Sequence, residues 1–241
     1  LFQSAGVNFE KAFAAAKQPG FKAIDLRAES HVKLKNDVYI SNSHNVAAIL
    51  PGSDKKDEYL VYSAHWYHFG IQKPVDGDSI YNGASDNASG VAALLVLARK
   101  FAHQKQPKRS ILFLSVTAEE AVLLGCEYYT QHPLIPIKNT VANINIDGCA
   151  PQSKVSNVII SGYGDTNTDQ LVEETAAAQG RTVEQARNQS SGGYFRSDHF
   201  SFAKVGIPVV LAEGGRDYIN PEDANRYKGP HTYHMPQDEY S

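Results

Sequence analysis

Cysteine is nearly missing from this chain: there are two, Cys126 and Cys149, in 241 residues. Two cannot build a disulfide framework, and neither stands in a C-x-x-C spacing that would suggest a zinc ribbon or a dithiol couple. Two free thiols and a single disulfide both fit the count. Excess basic charge is also lacking. Lys and Arg number 23 against 26 Asp and Glu, giving a net charge of −3 and a pI near 6.3. No positive field is available to follow a phosphate backbone, so nucleic acid is excluded as an expected partner. Long apolar runs are absent too. The longest, Val91 to Ala98, falls far short of the roughly 20 residues that a membrane-spanning helix needs. No internal repeat or low-complexity tract interrupts the chain. The first residue is not Met and no leader pattern precedes the folded part, as expected of a fragment or of a chain whose leader has been removed. What remains is ordinary globular composition, 42% hydrophobic and 20% charged, long enough for one large domain with a real core.

Along the chain, Phe9 and Phe13 lie four apart before Pro19-Gly20, which predicts a helix over 9–17. Val32, Leu34, Val38 and Ile40 fall on alternate positions, the period of a strand with one wet face. With Val46 to Leu50 they predict a hairpin at one edge of a sheet. Tyr59 to Ala64 is apolar without alternation, as in a strand buried on both faces. A helix is expected over 88–103, then a strand over 111–116, a helix over 119–129 and strands over 141–146 and 158–161. A helix over 168–179 closed by Gly180 and a strand over 207–211 complete the series. This order predicts an α/β fold: a mixed, centrally parallel sheet flanked by helices in three layers, with an antiparallel N-terminal edge. Ligands of such sheets bind at the carboxyl ends of the strands.

Those ends carry the informative residues. The strand at 59–64 runs into His65, that at 111–116 into Glu119 and Glu120, and that at 141–146 into Asp147. Asp86, just before the helix that follows the first of these strands, joins the same rim. Taken singly, an Asp before a helix is a common N-cap and paired Glu residues a common solvated first turn. Together, carboxylates converging without a basic cluster repel one another unless cations hold them. Mixed imidazole and carboxylate donors suit zinc, manganese or cobalt better than calcium. His31, His44, His103 and His132 read as surface residues. Asn87-Ala88-Ser89 and Asn188-Gln189-Ser190 match the glycosylation sequon, a short pattern that carries no weight alone.

The series SAHWYHFG (63–70), YNGASDNASG (81–90), VTAEE (116–120), NINIDG (143–148), RSDHFSF (196–202) and TYHMPQDEY (232–240) resembles the cocatalytic-zinc aminopeptidases. Glutamate carboxypeptidases and glutaminyl cyclases are relatives of that family. The motifs appear in the family's order over residues of about 46 to 240. The resemblance implies a zinc exopeptidase acting on peptides through two zinc ions. Asp86 would bridge them, with His65 and Asp147 completing one site and Glu120 and His234 the other. Glu119 would be the general base that deprotonates the attacking water and protonates the leaving amine. Tyr233 would donate a hydrogen bond to the developing oxyanion. The Ser197-Asp198-His199 motif, with Asp198 and His199 foremost, would support the ligands by hydrogen bonds. A periplasmic or secreted location also follows from the resemblance.

Two departures stand out. The family places an Asp two residues after the first ligand His, where this chain has Tyr67. Losing that support predicts a roughly 10- to 100-fold loss of metal affinity or activity, unless His68, Asp76 or Asp78 takes over the role. A metal-retaining inactive relative and a glutaminyl cyclase-like enzyme are therefore carried as alternatives to the aminopeptidase. The second departure lies at the ends. Residues 1–30 resemble a segment leading into the catalytic domain, expected over 31–241, and the stretch 213–233 near Tyr218 and Tyr227 is shorter than the family's.

Overall fold

The computed structural model describes residues 1–148, 153–186, 191–226 and 232–239. Cys149, the sequon at 188–190 and Tyr227 lie outside them. The chain divides into two compact units, residues 1–41 and 42–241.

In the first unit, α1 (Phe9–Ala16) starts at Asn8, whose side chain accepts the Lys11 N–H at 2.9 Å. Phe13 stacks on Phe9, and Lys17 lies 4.4 Å over the Phe13 ring. The strand expected over 32–40 does not form: Val32, Leu34, Val38 and Ile40 are between 73% and 95% exposed. Alternation makes a strand only where a neighbour supplies both ladder hydrogen bonds and an apolar face, and these residues have neither.

In the second unit the elements run β1 (Val46–Leu50), β2 (Lys55–His65), β3 (Gly70–Val75), β4 (Asp78–Tyr81), α2 (Ser89–Ala102), β5 (Arg109–Val116), α3 (Leu124–Gln131) and β6 (Thr140–Asn145). They continue with β7 (Asn157–Ile160), α4 (Thr168–Ala178), β8 (Thr182–Gln185), α5 (His199–Lys204), β9 (Val209–Gly214) and α6 (Pro221–Arg226). One seven-stranded sheet has the order β1-β5-β2-β6-β9-β7-β8. Its centre, β5-β2-β6-β9, is parallel, while β1 on β5 and β7 on β9 are antiparallel. The edge is therefore antiparallel as expected, but β1 pairs with β5, Val46 opposite Ser115, and not within a hairpin.

The core lies on both faces of the sheet, which is why β5 is an unbroken apolar run. Leu112, Leu114 and Val116 pack with Cys126, Tyr129 and Phe202 on the face of α3 and α5. Ile111 and Phe113 pack with Leu94, Leu97 and Phe101 on the face of α2. Cys126 is a buried free thiol whose Sγ donates to the Asp198 carbonyl at 3.1 Å. The hairpin β3–β4, unanticipated from the alternation, closes through Asp76 and Gly77, both at positive φ. An Asp-Gly pair is the local signal for such a turn.

The helix expected from Glu119 begins only at Leu124. Ala118, Val122 and Leu123 all take positive φ, so residues 118–123 form an irregular turn that ends on Gly125. The Asn45 side chain clamps this turn, accepting the Thr117 N–H at 3.0 Å and donating to the Gly125 carbonyl at 2.7 Å. A Cβ on Gly125 would lie 2.2 Å from the Thr117 carbonyl oxygen, a backbone atom with no freedom to retreat. Gly125→Ala should therefore destabilise the protein by about 1–3 kcal/mol, read as a lower urea midpoint. An unchanged midpoint would show that the turn is not tightly packed.

Candidate metal centre

The carboxyl end of β2 delivers His65, whose side chain is 1% exposed. The chain then bends, with the Trp66 N–H on the Val116 carbonyl and its indole N–H on the His44 carbonyl. This bend returns the main-chain carbonyl of Tyr67 to His65 Nδ1 at 2.9 Å. A carbonyl can only accept, so a proton sits on Nδ1, and Nε2 is the nitrogen that faces the site, able to donate to Asp147 or, once deprotonated, to offer its lone pair to a cation. The position where the family has its Asp thus offers the His65 Nδ1 proton a main-chain acceptor in place of a carboxylate. The Tyr67 side chain is 41% exposed and packs edge-on to Trp66. Neither Asp76 nor Asp78 replaces the family Asp. Asp76 sits in the β3–β4 turn, and Asp78 caps the Ile80 N–H at 2.9 Å.

Around His65 Nε2 lie Asp86 Oδ1 at 3.1 Å, Asp147 Oδ1 at 3.2 Å and Glu119 Oε2 at 4.0 Å. The second oxygen of Asp86 faces the other way, 3.4 Å from His234 Nε2, which also approaches Glu120 Oε2 at 3.2 Å. One carboxylate therefore looks into two adjacent pockets. Among the described residues, His65, Asp86 and Asp147 form one group with metal-ligand spacing, and His68, Asp86 and Glu120 another.

Asp86 Oδ1, Glu120 Oε1 and His234 Nε2 are buried without a hydrogen-bond partner, so their close neighbours approach without hydrogen-bond alignment. Four of the donor pairs are 3.1–3.4 Å apart. A tetrahedral cation with bonds of about 2.0–2.1 Å holds its ligands about 3.3 Å apart. The donor set fits zinc in chemistry and in spacing.

Supporting contacts explain how the loops hold these side chains. The Asp238 carboxylate accepts the N–H groups of Ser85 and Asp86 at 2.9–3.1 Å, and its own carbonyl accepts that of Ala84 at 3.0 Å. It was not singled out in the sequence, although it lies four residues after His234 in the same motif. Asn87 donates to the Ile146 carbonyl at 2.9 Å and accepts from Gly90 and Gly148, tying the Asp86 turn to the start of α2 and to the Asp147 segment. It is 3% exposed and unavailable as a glycosylation site. A buried relay runs from Asn143 to Ser63, Asn145 and Ser197, which donates to Asp147 Oδ2 at 2.5 Å.

In the Ser197-Asp198-His199 motif it is therefore Ser197 that supports a ligand. The side chains of Asp198 and His199 are fully buried and hydrogen-bond no ligand. Tyr233 stacks on His234 with centroids 3.8 Å apart. Burial and the nearby Asp86 and Glu120 carboxylates push its phenol upward, so it stays a donor. His31, His44, His103 and His132 are exposed, as expected. A cleft of about 630 Å³ opens beside Asp147, lined by Gly148, Arg181, Glu213 and Arg216 among others.

The model of peptidase family M28 matches residues 45–241. The chain belongs to peptidase family M28. A probable zinc metalloprotease of Pyrenophora teres f. teres is 36% identical over 138 residues, which is 56% of this chain and 29% of that protein. The zinc aminopeptidase BSAP of Bacillus subtilis superposes with a TM-score of 0.57 at 25% identity, covering 80% of this chain and 44% of that one. Porphyromonas gingivalis glutaminyl cyclase shares the fold, with a TM-score of 0.58 at 21% identity over 81% of this chain and 69% of its own. The chain spans less than a third of the fungal relative and less than half of the Bacillus enzyme.

In this M28 chain the crowding of carboxylates shifts the titration of the rim groups. Burial opposes charge on His65, but its hydrogen bond to Asp147 and the close approach of the Asp86 carboxylate outweigh that and raise it to about 11. Burial, reinforced by Asp147, pushes Glu119 up to about 9. Burial likewise holds Asp198 at about 8 and opposes charging of His199, which falls to about 4. At pH 7 a cation must therefore displace at least the His65 proton. Zinc affinity should rise about tenfold per pH unit for each proton displaced, measured by chelator competition between pH 6 and 8. A flat profile would mean that His65 is not a ligand. Tyr67→Ala keeps the carbonyl and should change zinc affinity by less than roughly 10-fold. A larger loss in the same assay would assign the role to the phenol side chain.

Proposed function

We propose that this M28 domain is a zinc aminopeptidase that hydrolyses the N-terminal residue from peptides. The observation that carries the reading is Asp86, with one oxygen toward His65 and Asp147 and the other toward His234 and Glu120. Two zinc ions held by these five residues would polarise the scissile carbonyl and acidify the attacking water. Glu119, 4.0 Å from His65 Nε2, would give up its own proton when cations balance the rim charge; as a carboxylate it would take the proton of that water and return it to the leaving amine, its burial favouring proton uptake. Tyr233 donates to the oxyanion as the carbonyl carbon becomes tetrahedral. The acidic rim attracts a free α-amine, which selects chain ends over internal bonds by charge. The inactive alternative rested on Tyr67, and the main-chain carbonyl at that position supports the active reading by giving His65 Nδ1 an acceptor. A periplasmic or secreted location accompanies this reading through the motif set. Among the described residues no helix is long and apolar enough to cross a membrane.

The test uses one peptide, free or N-acetylated, with zinc or with a chelator. Release of the first residue from the free peptide only, lost on chelation and restored by zinc, is the expected result. Equal cleavage of the acetylated peptide would refute exopeptidase action. Glu119→Gln should lower kcat about 10²- to 10⁴-fold while elemental analysis finds the metal content unchanged. Retained turnover would remove Glu119 from the proton transfer.

A further inference from the structure

Three buried or half-buried imidazoles surround Asp86, and the roles above use two of them. The third, His68, is 8% exposed. Its ring is confined by Phe69, with centroids 4.6 Å apart, and by Gly83, where a Cβ would lie 2.9 Å from His68 Cγ. Gly83 also takes a left-handed φ of 64°, so two independent features keep that position free of a side chain and leave the imidazole its place. His68 Nδ1 lies 2.7 Å from Glu120 Oε1, yet neither atom has a hydrogen bond of acceptable alignment. His68, Asp86 and Glu120 offer donor atoms all within 4.8 Å of one another. His234 reaches the remaining oxygens of Asp86 and Glu120 from the other side, its ring 5.8 Å from that of His68.

We infer that His68 is itself a metal ligand, the fourth protein donor of the second pocket. This rests on the two-zinc reading and deepens it. The second pocket then holds its cation through His68, Asp86, Glu120 and His234. The first holds its cation through His65, Asp86 and Asp147. Four protein donors close a tetrahedral site, whereas three leave one position for water or substrate. The two ions would thus be unequal: the second, with one more protein donor, would be held more tightly and act on the substrate mainly through its charge, while the first pocket, beside Glu119, would keep the position open to water. The contact between His68 and Glu120 is shorter than a tetrahedral edge and widens when a cation sits between them.

The test strips the protein with a chelator and titrates it with cobalt or zinc, counting ions per chain by equilibrium dialysis and following the visible bands of cobalt. Wild-type protein should take up two ions. His68→Ala and the volume-conserving His68→Gln should keep the first-pocket affinity. Both should lose second-pocket affinity by more than the roughly 10- to 100-fold that follows removal of a residue that only orients a ligand. The cobalt bands of the second equivalent should change as they do in His234→Ala. A loss within that window, or unchanged bands, would reduce His68 to an orienting partner of Glu120 and overturn the proposal while leaving two ions in place. Uptake of fewer than two ions by the wild type would overturn the two-zinc reading and this inference with it. Side-chain ¹⁵N spectra of unmodified protein need no variant. Zinc should shift three buried histidines, His65, His68 and His234, and a silent His68 would refute its ligation.

Discussion

Everything in this domain is arranged around one electrostatic constraint: Asp86, Glu119, Glu120 and Asp147 are held on a single rim with no Lys or Arg ion-paired to them among the described residues. Four carboxylates at this spacing cannot all be ionised in a buried site. The imidazoles meet part of this demand, and the direction of the shifts shows the rest: His65 is pushed toward the charged form and Glu119 toward the neutral one. Zinc would be the more complete answer, because divalent cations would replace protons and give the orphaned Asp86, Glu120 and His234 atoms partners.

Holding such a set open requires rigidity, and the polar network supplies it from several directions. Asp238 brings the segment that carries His234 onto the backbone of Asp86, so one carboxylate helps to place both candidate donors. Asn87 links the Asp86 turn to Asp147, and the chain from Asn143 to Ser197 fixes the other Asp147 oxygen. Asn45 locks the turn that presents Glu119 and Glu120. These groups are buried and hydrogen-bonded, and so they specify one arrangement instead of merely tolerating it.

At Tyr67 the chain departs from the family pattern in residue but still presents an acceptor. The imidazole of His65 has its Nδ1 proton held by a carbonyl that a sharp bend presents, the tautomer-fixing contact that the side chain of an Asp would make there. The identity of the side chain at that position is then released from this constraint. His68 is different: its ring is confined, its nitrogens lack aligned partners and its nearest polar neighbour is a ligand carboxylate.

The central strands, the helices at 89–102 and 168–178, the parallel centre of the sheet and the rim residues were legible in the sequence, because an apolar run, a helical period and a charged residue at a strand end are local signals. The segment 32–40 misled for the complementary reason: its alternation is local, but a strand exists only where a partner edge is present, and β1 pairs with β5 instead. The turn at 118–123 hid inside a helical pattern because its positive φ angles go with a clamp by Asn45, more than 70 residues away in sequence, and with close packing at Gly125. Asp238, Ser197, the Tyr67 carbonyl and His68 were decided only in three dimensions. Composition and spacing can say which donors reach the rim. Which oxygen faces which nitrogen depends on main-chain direction and on contacts between segments up to about 150 residues apart, such as Asp238 with Asp86, and no one-dimensional pattern carries that information.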